Sequence, residues 1–97
     1  MHRWLLTDDI VVYYYYHFQG QGLIYPTIQG ICNKLGITES SFKARIQNLI
    51  YVITNGQEGL SNAANQTREV AELLEYSRQN DTNFQNNLQV VVNRILR

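Results

Sequence analysis

The stretch "SSFKARIQN", residues 40–48, carries the side chains best suited to reading a nucleic acid. Lys43 and Ser40 suit phosphate oxygens, Arg45 suits the paired acceptors of guanine, and Gln47 and Asn48 suit the adenine edge. Through the same stretch an apolar stripe recurs at helical spacing: Phe42, Ile46, Leu49, Ile50 and Ile53. The polar set therefore stands on the outer side of an amphipathic helix. Ser40, Lys43, Ala44, Gln47 and Tyr51 point away from the stripe, with Arg45 and Asn48 flanking it.

Other chemistry is poorly provided for. His2, His17 and Cys32 are the only soft ligands and fall on different segments, whereas a zinc site takes about four ligands at short spacing. No metal and no cofactor is expected. Phosphate loops, nucleophile elbows and Cys–His pairings do not occur, so an enzyme is not expected. Asp8-Asp9 reads as a helix-capping pair, His17 as a core or helix-end residue, and Cys32 as a buried, inert thiol. Ser61-Asn62 reads as a helix N-cap. Phosphate binding at that helix start is the alternative.

The polar set depends on the elements around it. Residues 27–46 have the spacing of a helix-turn-helix. Thr27 can cap a first helix that carries Ile28, Ile31, Cys32 and Leu35 on one side. Gly36 stands where the turn needs a positive φ, and Ile37 is expected to be buried in that turn. Residues 38–41 can cap the second helix. Further on, 61–77 reads as a helix with Leu60, Ala63, Ala64, Thr67, Val70, Ala71 and Leu74 inward. A last helix from about 82 carries Phe84, Leu88, Val91, Val92, Ile95 and Leu96 on one face.

The tyrosine run, "DDIVVYYYYHFQG" at 8–20, has strand propensity. It has no second strand to pair with, and lone strands are unstable, so it is expected to be helical. Ile10, Tyr13, Tyr14 and His17 then share one face, and Val12, Tyr15 and Tyr16 the other. That second face is either a protein interface or is covered by the domain itself. The C-terminal helix poses the same choice: Leu88, Val91 and Ile95 pack back on the domain or form a two-fold seam with Val12, Tyr15 and Tyr16.

The predicted fold is all-α, a single domain of residues 1–97. Four or five helices surround a helix-turn-helix centre at 4–76, with an amphipathic C-terminal helix at 81–97. Formal charge is zero, and only 16% of residues are charged, so the electrostatic signature of a strong nucleic-acid binder is absent from the chain as a whole. Neutrality also lowers the barrier to self-association. One cysteine excludes an intramolecular disulfide, which fits a cytoplasmic protein. "MHRWLLTDD" is too soon acidic for a signal peptide, and no apolar run approaches a membrane span, so no membrane partner is expected.

Trp4, Asp8-Asp9, Gly36, Ser40-Ser41, Asn48, "GLSNA" at 59–63 and Arg68-Glu69-Val70 carry a resemblance. Over roughly residues 4–76 the chain is similar to a small helical domain at the N-terminus of some HNH-type restriction endonucleases, found also as stand-alone bacterial or phage proteins. That family continues "GLSNA" with Ser-Lys, where this chain has Ala64-Asn65, so a phosphate-binding cation is missing. The family's Trp after Arg-Glu-Val is Ala71 here, and no nuclease domain follows. The resemblance implies a helical, DNA-associated accessory module rather than an endonuclease.

Two functions are therefore expected. The first is a small DNA-binding protein, a homodimer and regulator, reading through Ser40, Lys43, Arg45, Gln47 and Asn48. The second is a protein-binding module of phage or plasmid origin, such as an inhibitor of a host restriction or CRISPR complex, using the tyrosine face.

Overall fold

The computed structural model describes residues 2–61 and 63–97. Among them the regular elements are five helices: α1 (Leu6–Phe18), α2 (Ile28–Leu35), α3 (Glu39–Ile53), α4 (Asn65–Asn80) and α5 (Phe84–Leu96). The chain is all-α, and no described helix is long and apolar enough to cross a membrane.

The tyrosine run is the central helix. α1 packs against α3, α4 and α5 at once, so Val11, Val12, Tyr13 and Tyr14 are all buried, a complete turn of the helix. This corrects the two-faced reading of α1. Val12 is 1% exposed and belongs to the core, because neighbours close on α1 from several sides. Tyr15 and Tyr16 are half-buried against that core; the Tyr15 ring meets Phe42 edge-on at 5.8 Å. The start of α1 is fixed by Asp8: its Oδ2 accepts the Leu5 amide at 2.9 Å and so satisfies one of the orphan donors there.

The helix-turn-helix pair forms as its local signals dictate. The Thr27 hydroxyl accepts from the Gly30 amide and the Thr38 hydroxyl from the Ser41 amide, capping α2 and α3. Gly36 ends α2 at φ +72°, and its N–H reaches the Cys32 carbonyl at 2.9 Å. Ile37, buried, then holds the turn against the core, and Phe42 and Leu49 anchor α3. Cys32 is buried, and that burial pushes its thiol pKa up.

The second half departs further from the sequence expectation. α4 begins at Asn65, after the non-capping Ala64, so Ser61 is not its N-cap; Asn62 lies outside the described residues. The reason is the loop before it. Gly59, at φ +90°, crosses so close to α3 that a Cβ there would stand 2.2 Å from the Gln47 carbonyl oxygen, and the Leu60 amide donates to that oxygen. The chain must leave α3 before α4 can start, and Leu60 and Ala64 are consequently exposed. α5 packs on α1 through Phe84, Leu88, Val92 and Leu96. Leu88 is thus core, not seam. Val91 is 44% exposed and Ile95 half-buried.

Candidate nucleic-acid interface

α2 stands behind α3, and the turn between them sets α3's outer side toward solvent. Ser40, Lys43, Ala44 and Gln47 are exposed there, and Asn48 is half-buried on the flank. The exposed strip ends part-way along the helix. Loop 54–60 closes over the far end, where Gly56 packs on the Tyr51 ring and Gly59 on the backbone of Gln47 and Tyr51. What stays open runs from the start of α3 to Gln47, and the N-terminal part of such a helix reads base edges when it enters a groove. Ser40 sits in a hydroxyl cluster at the helix start, 3.3 Å from the Thr38 hydroxyl. Its Oγ remains at the surface, at the positive end of the helix dipole.

Arg45 is the correction at this site. Its guanidinium makes a two-pronged ion pair with Asp9 of α1: Nε donates to Oδ1 and Nη2 to Oδ2, both at 2.8 Å. The Arg45 side chain is 11% exposed and that of Asp9 2%. The guanidinium also lies over the Trp4 ring, 4.5 Å from its centroid. Gln66 of α4 completes the knot by donating to Asp9 Oδ2 at 2.7 Å and to the Trp4 carbonyl at 3.3 Å, and the Thr67 hydroxyl lies 3.4 Å from Asp9 Oδ1. Asp9 therefore ties α1, α3 and α4 together, and Arg45, held by it, presents no charge to a base. Lys43 is the exposed cation of α3, Lys34 is exposed on α2, and Glu39 lies in the first turn of α3.

Sequence reasoning treated Asp9 as a cap and missed its role as the hub of this knot. The usable signal was Trp4 together with a second acid in the first turn, one more than a cap needs. A second polar cluster also lay beyond sequence reach. His17 Nε2 bonds Glu75 Oε1 at 2.9 Å, and Arg78 bonds the other oxygen of Glu75 at 2.8 Å. The Tyr13 ring packs on His17 at 4.5 Å, and burial pushes its phenol pKa well above the ordinary value. Burial also holds the His17 pKa below its usual value, against the opposing pull of Glu75.

No protein-family model, curated protein or solved structure matches the chain. No cluster of three or more metal-ligating side chains occurs among the described residues.

Away from α3 the surface is apolar in one strip. A hollow of about 180 Å³ between α1 and α4 is lined by Leu6, Ile10, Val70, Leu73 and Leu74, with Glu69 at its edge. Leu6 is 52% exposed and Leu73 66%. Leu74 also lines the neighbouring hollow toward α5, which includes Val91.

Proposed function

We propose that this domain is a non-enzymatic DNA-binding module that reads DNA through the exposed strip of α3 from Ser40 to Gln47. One observation carries the reading: Ser40, Lys43 and Gln47 stand exposed on one helix face that the fold itself leaves uncovered, directly after a glycine turn. Gln47 suits an adenine edge, and Lys43, Ser40 and Lys34 suit phosphates. Arg45 has no part in the contact. The resemblance to the N-terminal domain of HNH-type endonucleases supports the same assignment. Two lysines per copy give weak electrostatic binding, with a salt slope of about −2 for one copy and about −4 for a dimer.

Fluorescence anisotropy over a salt series tests this. Wild type is expected to bind duplex DNA with that slope, and Lys43→Glu to lose binding while remaining folded. Gln47→Ala is expected to weaken binding to a selected site more than to random duplex. A wild-type chain that fails to bind at low salt sinks the reading.

The apolar strip on α1 and α4 favours a second reading, a protein contact. Leu6 and Leu73 lie at the rim of a hollow that a partner side chain can fill, and a second copy of this chain would double the lysines offered to DNA. A protein of a host restriction or CRISPR complex is the other occupant under this reading. Sedimentation equilibrium of wild type against Leu73→Lys separates the two: self-association lost in the variant supports the dimer, and a monomer at all concentrations removes it.

A further inference from the structure

A third surface shares only Lys34 with the readings above. On the outer side of α2 a hollow of about 290 Å³ is lined by Tyr25, Gly30, Asn33 and Lys34. We infer that this hollow binds a nucleotide unit, with the base on Tyr25, its edge on the Asn33 amide and its phosphate on Lys34. The proposal does not depend on α3 reading DNA.

Gly30 is the first argument. Of the six glycines, five sit at positive φ, where the backbone itself asks for glycine. Gly30 is the exception. It lies inside the first turn of a helix, where glycine weakens the helix relative to alanine. What its missing side chain does is leave room: a Cβ would stand 3.4 Å from Tyr25 Cβ and 3.2 Å from Thr27 Oγ1, on the floor of the hollow. Asn33 and Lys34 follow at i+3 and i+4, so they stand one turn above Gly30 on the same face.

Tyr25 is the second. It is 39% exposed, yet the loop that carries it is tightly held. The Tyr14 hydroxyl donates to the Gln21 carbonyl at 2.6 Å. Asn93 of α5 accepts from the Ile24 amide and donates to the Gly22 carbonyl. Pro26 follows and keeps Tyr25 extended. An aromatic ring exposed on a fixed backbone costs less to order on binding than one on a loose loop, and aromatic stacking accepts any base. The lining has an aromatic face, an amide and an ammonium and no carboxylate, which selects a flat ligand with a negative group.

The ligand can be a free mononucleotide or an unpaired nucleotide at the end of a strand. Amide chemical shifts of the full chain distinguish them, using dAMP, inorganic phosphate, and a hairpin duplex with or without one unpaired 3′ nucleotide. dAMP is expected to move the Tyr25, Asn33 and Lys34 amides. Tyr25→Leu is expected to weaken this by roughly five- to a hundredfold. Gly30→Ala and Lys34→Gln are expected to weaken it too while keeping a wild-type melting profile. Shifts only with the 3′-overhang hairpin support the proposal and assign the strand as the source. Phosphate binding as tightly as dAMP overturns it, as does the absence of shifts with every probe. Lys43→Glu separates the outcomes: it removes duplex binding by α3 and leaves the dAMP response intact.

Discussion

Lys43 and Arg45 stand two residues apart on one helix and meet opposite fates. Arg45 turns to the inner flank of α3 and pairs with a carboxylate of α1, which an amide of α4 also holds. Lys43 turns outward and meets solvent. Residue type did not decide which cation stays at the surface; the neighbouring helices did. Arginine suits the inner place because its planar fork matches both oxygens of Asp9 and lies flat on Trp4, whereas lysine's compact ammonium is better left hydrated. The inner side of α3 holds the domain together, and the outer side is left to solvent.

The comparison can be broken most forcefully at Asp9. Asp9→Ala leaves the Arg45 guanidinium buried without its counter-charge, at a cost of about 3–5 kcal/mol. The melting midpoint is expected to fall by more than about 10 °C. A fall of only a degree or two would mean that the knot is not what holds α1, α3 and α4. On the outer side the tight point is Gly59. Gly59→Ala drives a methyl into the Gln47 carbonyl and is expected to cost about 2 kcal/mol or more, while Gly36→Ala, at a similar φ with open space around it, costs about 1 kcal/mol. Urea denaturation of both variants checks the ratio.

Acid acts on a cluster between α1 and α4, His17 with Glu75. Burial lowers the His17 pKa below its unfolded value near 6.5, so the unfolded chain binds more protons as pH falls through that range. His17's contribution is therefore intact above about pH 6.5 and lost below it. The midpoint is expected to decline on acidification from pH 7 to 5, and His17→Gln to flatten that decline. The smallest thermal effect belongs to Lys43→Glu. It is expected to leave stability within about 0.5 kcal/mol of wild type while abolishing DNA binding in the anisotropy assay.

What was legible in the sequence was local. Thr27, Gly36 and Thr38 act on backbone groups within four residues, so the turn between α2 and α3 and the stripe of Phe42 and Leu49 could be read directly. Ser40, Lys43 and Gln47 are exposed as their helical phase requires. Arg45 has the same kind of phase argument and failed it, because its partner is 36 residues away and on another helix. A helical wheel gives direction but not how many neighbours lie in that direction, and for that reason Val12 and Leu88 looked like interface and are core. The late start of α4 escaped for a related reason: the contact that delays it, Gly59 against Gln47, joins a loop to a helix whose path the sequence pattern does not show.

The place of α1 at the centre also has a consequence for synthesis. It is translated before every helix that covers it, and α5 is complete only at Leu96, 78 residues after Phe18. At roughly 5–20 residues per second, the tyrosine run waits on the order of 4–16 s for its last cover. A nascent chain stalled before α5 would expose part of an apolar, β-prone segment to whatever lies at the ribosome's exit.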